Sequence, residues 1–184
     1  MNITERIEIA RGERPAALVI KRAGIFHLTT GEYESADIAI NGDGVIAAVG
    51  KDYQGEHELD ANGLVAVPGF IDSHVHIESS MLTPQEYERC VLKHGVTTAV
   101  CDPHELANVV GPAAFDYFFA CAAKLTMDLR VRLSSCVPAT DMETPGAAVT
   151  TDDLAQYHKK YPEAALAELM NVPGVLVRNP EVMK

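Results

Sequence analysis

The chain has 184 residues, of which 47% are hydrophobic and 22% charged, and its formal net charge is −11. That apolar fraction is ordinary for a globular chain and excludes general disorder, while the length suits one large domain or a small one joined to part of another. Acidity without a Lys/Arg run makes a nucleic-acid backbone or an anionic membrane a poor partner, so neither is expected.

The opening MNITERIEIARGERP is charged throughout and lacks the apolar segment of a secretory signal. LVAVPGFI and VVGPAAFDYFFACAA are short, or are broken by Pro, Gly and Asp. Neither reaches the roughly 18 apolar residues a bilayer span needs. Cys90, Cys101, Cys121 and Cys136 contain no CxxC pair. They read as scattered buried thiols of a reducing compartment, so the cytoplasm is the expected location.

Residues 3–10 fit a short leading helix, and β structure follows. ALVIKRAGIFHLTT is rich in branched residues, and ADIAI and VIAAVG flank Asn41-Gly42-Asp43-Gly44. Asn and Gly tolerate positive φ, so this is a hairpin turn. A second turn falls at Asp60-Ala61-Asn62-Gly63, and no useful helix fits between Leu18 and Leu64. Residues 1–66 are expected to form a small β-sandwich-like domain carrying no obvious chemistry.

The pattern then changes. LVAVPGFID is nearly continuously apolar, as in a parallel strand buried on both faces. Thr83-Pro84-Gln85-Glu86 offers a capping box with Pro at the first helical position. The helix should run to about His94 and stop at Gly95. VTTAVCD is a second strand, Pro112 to Lys124 a second main helix, and LRVRLSSCV a third strand. A further helix covers about Asp152 to Lys160, and AALAEL suits a strand or a helix equally.

Such alternation argues for an α/β fold built of parallel β/α units. A closed eight-stranded barrel needs about 250 residues, far more than follow Pro68. Residues 67–184 are therefore expected to be the first half of a (β/α)8 barrel, making the chain an incomplete piece with open sheet edges. Such edges favour association, including into a homo-oligomer.

His74-Val75-His76 ends the first buried strand. Residues two apart in an extended chain point to one side, so both imidazoles can reach one divalent ion. Such a pair is equally a couple of ordinary strand-end histidines; its position favours metal, because barrel ligands gather at the C-terminal ends of strands. His76-Ile77-Glu78 matches the HxE of cytidine-type zinc deaminases, but their PCxxC is absent. Asn108 stands where HExxH, begun at His104-Glu105, needs its second His. GxGxxG, Walker A and GxSxG are also missing. Cys101-Asp102-Pro103-His104-Glu105 ends the second strand. Asp102 is either a helix cap or a functional group, and His104 reads as functional. Glu168 is a lone carboxylate in ALAELMNVPG.

PGFIDSHVHIESSMLTP, HGVTTAVCDPHELANVVG and LAELMNVPGV together resemble the adenine deaminases of the amidohydrolase superfamily. ADIAINGDGVIAAVG resembles the β domain that superfamily members place before their metal-dependent barrel. The resemblance implies that His74 and His76 are metal ligands. It also implies that Glu168 bridges two metals, where other members use a carboxylated lysine. The implied cofactor is a pair of divalent cations, manganese or iron in preference to zinc. The implied reaction is hydrolysis of adenine to hypoxanthine and ammonia. Glu78, His104 and Glu105 are the candidates for lining the purine pocket and handling protons. Family members continue through four more strands, which supply two further His ligands and an Asp; His27, His57, His94 and His158 are not placed to substitute. Two alternatives stand beside this one: a dihydroorotase- or hydantoinase-like cyclic amidohydrolase, and a non-catalytic remnant acting as an interaction module.

Overall fold

The computed structural model describes residues 3–183. It divides into two compact units, Met1–Pro68 and Gly69–Lys184.

In the first unit helix α1 (Ile3–Ala10) precedes strands β1 (Ala16–Phe26), β2 (Tyr33–Ile40), β3 (Ile46–Gly50) and β4 (Gly55–Asp60). They form one sheet in the order β3-β2-β1-β4, and the two-residue β5 (Val65–Ala66) also pairs with β1. The β2–β3 hairpin turns where Asn41 Oδ1 accepts the Val45 N–H at 2.9 Å and Gly44 takes φ +77°. The expected β-sandwich is instead a single sheet. Ile9 of α1 packs on Ala16, Val19 and Ala39, so a helix covers the face that a second sheet would have covered. Lys21 Nζ lies 2.8 Å from the buried Asp37 carboxylate, which also accepts the Arg22 N–H. Burial pushes the Asp37 pKa up, but these partners outweigh it and hold the group below its ordinary value.

The second unit is built on a parallel sheet, β6 (Phe70–Val75), β7 (Val96–Cys101) and β8 (Asp128–Val131), in that order. Parallel neighbours need crossovers. Helix α2 (Pro84–Val91) supplies the first, and α3 (His104–Val110) with α4 (Ala113–Ala122) the second. Helix α5 (Thr151–Lys160) then leads to an extended segment in which Leu166 bridges Leu133 in parallel, and the short α6 (Val172–Leu176) follows. These are successive units of a partial α/β barrel. The buried face of α4, Ala114, Phe115, Phe118 and Cys121, has helical spacing. Phe118 packs with Ile77, Ala99, Cys101 and Leu129 directly beneath the strand ends.

Several expectations are corrected here. LVAVPGFID is two strands, because Pro68 has no N–H for a ladder. β5 belongs to the first sheet and β6 to the second. Among the described residues β6 pairs with β7, and Phe70 is 61% and Ile71 66% exposed. Between β5 and β6 Gly69 presses on its neighbour, and a Cβ there would stand 2.0 Å from Thr97 Oγ1. The capping box of α2 is half made. Thr83 Oγ1 accepts the Glu86 N–H at 3.4 Å, while the Glu86 carboxylate pairs with Arg89 at 3.0 Å. The helix proper ends at Val91, and a 3-10 turn over Leu92–His94 leads to Gly95, where φ is +84°. The full box forms on α5, between Thr150 and Asp153. The third strand is shorter than LRVRLSSCV, because the chain leaves β7 after Val131 to pair with the segment around Leu166. AALAEL is extended there, with Leu133 N–H bonded to Ala165 O at 3.0 Å and Ala167 N–H to Leu133 O at 2.9 Å. All four cysteines are free thiols, but Cys90 is exposed on α2. No helix among the described residues is long and apolar enough to cross a membrane.

Candidate metal centre

The C-terminal ends of adjacent parallel strands lie side by side, so each contributes the residues that follow it. β6 brings His74 and, one residue past its end, His76. Their rings stand on one side with centroids 4.9 Å apart. β7 is followed by Asp102, and the chain after β8 brings Ser134 and Ser135. The extended segment beyond α5 brings Glu168, whose carbonyl accepts the Ser135 hydroxyl at 3.0 Å.

These groups converge. Glu168 Oε1 lies 3.3 Å from His76 Nε2 and 3.7 Å from His74 Nε2. His74, His76, Asp102 and Glu168 each offer a ligand atom, all within 4.8 Å of one another. Metal–nitrogen and metal–oxygen bonds of about 2.0–2.2 Å put ligand atoms at most about 4.4 Å apart, so a small inward shift brings this set onto one ion. A second grouping, His76, His104 and Glu105, meets the same limit on the other side of His76.

The electrostatics agree with a cation. Asp102 is only 2% exposed, and its Oδ2 has no hydrogen-bond partner. The same is true of the buried Oε2 of Glu105 and Nδ1 of His104. Unpartnered buried acceptors are costly unless something positive meets them. His76 Nδ1 donates to the Asp102 carbonyl at 2.9 Å, which leaves Nε2 as the free donor atom. Burial lowers the His76 pKa, but the Asp102 carbonyl and the carboxylates of Glu105, Asp102 and Glu168 outweigh it and raise it overall. Two imidazoles and two carboxylates therefore fit a divalent ion, the donor chemistry such ions take.

The sequence-derived candidates fall into two groups. His74, His76 and Glu168 meet at one point. Glu105 flanks His76 Nδ1 at 3.5 Å, and its other oxygen accepts the Ser79 hydroxyl at 2.7 Å. His104 stacks edge-on with His76 at 4.5 Å. Glu78 accepts the Leu106 N–H at 3.2 Å. Burial, with Glu105 adding to it, keeps the Glu78 pKa above the ordinary value. A groove of about 400 Å³ opens beside the cluster, lined by His74, Asp102, Arg132, Leu166 and Glu168 among others. Glu78, His104 and Glu105 lie outside that lining, so they flank the cluster and do not wall the groove. Asp102, which the sequence left open between helix cap and functional group, joins the cluster. It caps no helix, because Pro103 is the N-cap of α3 and no side chain caps it. The available signal was its place immediately after the buried Cys101 at a strand end.

Comparison with known proteins adds independent information. The chain is 54% identical over 178 residues to an adenine deaminase of Gluconobacter oxydans, which covers 97% of this chain and 31% of that protein. It is 51% identical over 177 residues to an adenine deaminase of Brucella anthropi, covering 96% of this chain and 31% of the relative. The chain thus spans about a third of the length of these curated relatives. Among solved structures it resembles a dihydroorotase (TM-score 0.58, 21% identity, 84% of this chain and 44% of that one). It also resembles a zinc complex of the atrazine chlorohydrolase of Arthrobacter aurescens (TM-score 0.58, 20% identity, 78% and 42%). At these identities the likeness is one of fold: a barrel of β/α units with a β portion before it. The model of the amidohydrolase family matches residues 65–179, the stretch that contains every strand end of the cluster, and the chain belongs to that family.

Proposed function

We propose that this chain supplies the β domain and the first β/α units of a metal-dependent adenine deaminase, which converts adenine and water to hypoxanthine and ammonia. The observation that carries this is the 54% identity to an adenine deaminase over nearly the whole chain, far above the level at which only the fold is shared. His74, His76, Glu168 and Asp102 would hold the divalent metal, manganese or iron in preference to zinc. Such ions, when bound, supply a water acidified enough to ionise near neutral pH.

The chain's own residues organise the surroundings. The Asp102 carbonyl holds the His76 ring in one tautomer. The groove beside His74 and Glu168 has the size of a small-molecule site and would take the purine. His104, 3.4 Å from Asp102, and Glu105, 3.5 Å from His76, would carry protons between the cluster and the departing amine, with Glu78 as a further candidate. The four unpaired thiols suit a reducing cytoplasm.

The test is a chimera in which this chain replaces the matching third of the Gluconobacter oxydans adenine deaminase, loaded with Mn²⁺. Adenine loss and ammonia release are expected in equal amounts. A folded, metal-loaded chimera that leaves adenine untouched, or that opens hydantoin or dihydropyrimidine rings instead, overturns the substrate assignment.

A further inference from the structure

We propose that Ser134 is a positioning residue that aims the Asp102 carboxylate into the metal cluster. This rests on the reading of that cluster as a divalent-metal site.

The backbone of Asp102 is already held on both sides. Its N–H donates to Val75 O at 3.1 Å, and its carbonyl accepts from His76 Nδ1 at 2.9 Å. The main chain is therefore tied to β6, but the carboxylate can still rotate about the side-chain bonds. Among the described residues, one hydrogen bond stops that rotation: the Ser134 hydroxyl donates to Asp102 Oδ1. Ser134 is 1% exposed and Asp102 2%, so water does not compete for either group.

With Oδ1 engaged, Oδ2 remains without a hydrogen-bond partner, 3.4 Å from His104 Nδ1. The carboxylate as a whole stays among His74, His76 and Glu168. Ser134 itself is placed by the bridge of Leu133 to Leu166, one residue earlier. The same bridge carries the segment that delivers Glu168. One contact between the chain just after β8 and the extended segment beyond α5 thus sets both the carboxylate that closes the cluster and the hydroxyl that orients its neighbour. Groups that orient metal ligands from behind typically change affinity by about 10- to 100-fold when removed.

The experiment is calorimetric titration of Mn²⁺ into the Gluconobacter oxydans chimera and its variants, with thermal melting measured alongside. S134A is expected to weaken Mn²⁺ binding by about 10- to 100-fold, and S134T, which keeps the hydroxyl, to restore most of it. In a D102A background the same S134A change should alter affinity less than about twofold, because no side-chain oxygen remains to be aimed. Equal losses in both backgrounds would show a merely structural serine and overturn the proposal. So would unchanged binding in S134A. If the unsubstituted chimera binds no Mn²⁺ at all, the metal reading falls and this proposal with it, a pattern distinct from the other two.

Discussion

The main-chain carbonyl of Asp102 stands 2.9 Å from His76 Nδ1. A carbonyl can only accept, so Nδ1 carries the hydrogen and Nε2 is the nitrogen that faces Glu168, 3.3 Å away. A residue at the end of one strand thus selects the working nitrogen on the next. This is the usual way a ligating histidine is fixed in tautomer and orientation.

His76 should accordingly dominate metal affinity. His76→Ala is expected to lower Mn²⁺ affinity by at least about 100-fold, more than loss of an orienting group costs. His94→Ala, outside the cluster, should leave it unchanged; titration calorimetry reads both. Protons compete with the metal at Nε2. Because the His76 pKa is raised above its ordinary 6.5, affinity should fall as pH drops through that raised value. Without metal the sign for stability is the opposite: the contribution of His76 is complete below pH 6.5 and is lost as pH rises through the raised value.

Phe118 is 1% exposed and packs with Ile77, Cys101 and Leu129 under the strand ends. Phe118→Ala should destabilise the second unit by about 4 kcal/mol, the transfer and cavity cost of a buried aromatic. Urea unfolding followed by a probe in that unit checks it.

Asp116 accepts from Lys160 Nζ and from the Tyr157 hydroxyl, each at 2.6 Å. The Lys160 bond first, and the tyrosine second, hold its pKa below the ordinary 3.8. A lowered carboxylate contributes stability that is present above 3.8 and is lost as pH falls through its folded value. Asp116→Asn should therefore melt lower than the wild type at neutral pH, and the gap should close on acidification below 3.8. Melting temperatures of both proteins across that range decide it. The same contact lifts Tyr157: burial first, then Asp116, push it up to about 12.

Gly69 lies against Thr97, with no room for a Cβ. Gly69→Ala is expected to cost about 2 kcal/mol through forced displacement of the β6–β7 pairing. Gly69→Ala combined with Thr97→Gly should recover most of that loss. A double mutant no more stable than Gly69→Ala alone would refute the steric account.

The elements that were legible in the chain are those with local causes. Helices α1 and α5 and the β2–β3 hairpin follow from spacing, caps and turn residues within a few positions of one another. The two rings of His74 and His76 share a side because a two-residue step in extended chain returns to the same side. The misreadings have non-local causes. LVAVPGFID looks like one strand by composition, and its division depends on which sheet each half joins. Cys90 looks like any buried thiol until α2 turns it outwards.

By itself the sequence determined the alternation of strands and helices and the HxH pair, because each is a property of neighbours along the chain. Only the tertiary structure decided that Asp102 joins the cluster, that Ser134 orients it and that Glu168 faces both histidines. Asp102 and Ser134 are 32 positions apart, and nothing in their local sequence requires them to meet. They do so because parallel strands, separated by helical crossovers, put their C-terminal ends side by side, and that adjacency exists only once the sheet has formed.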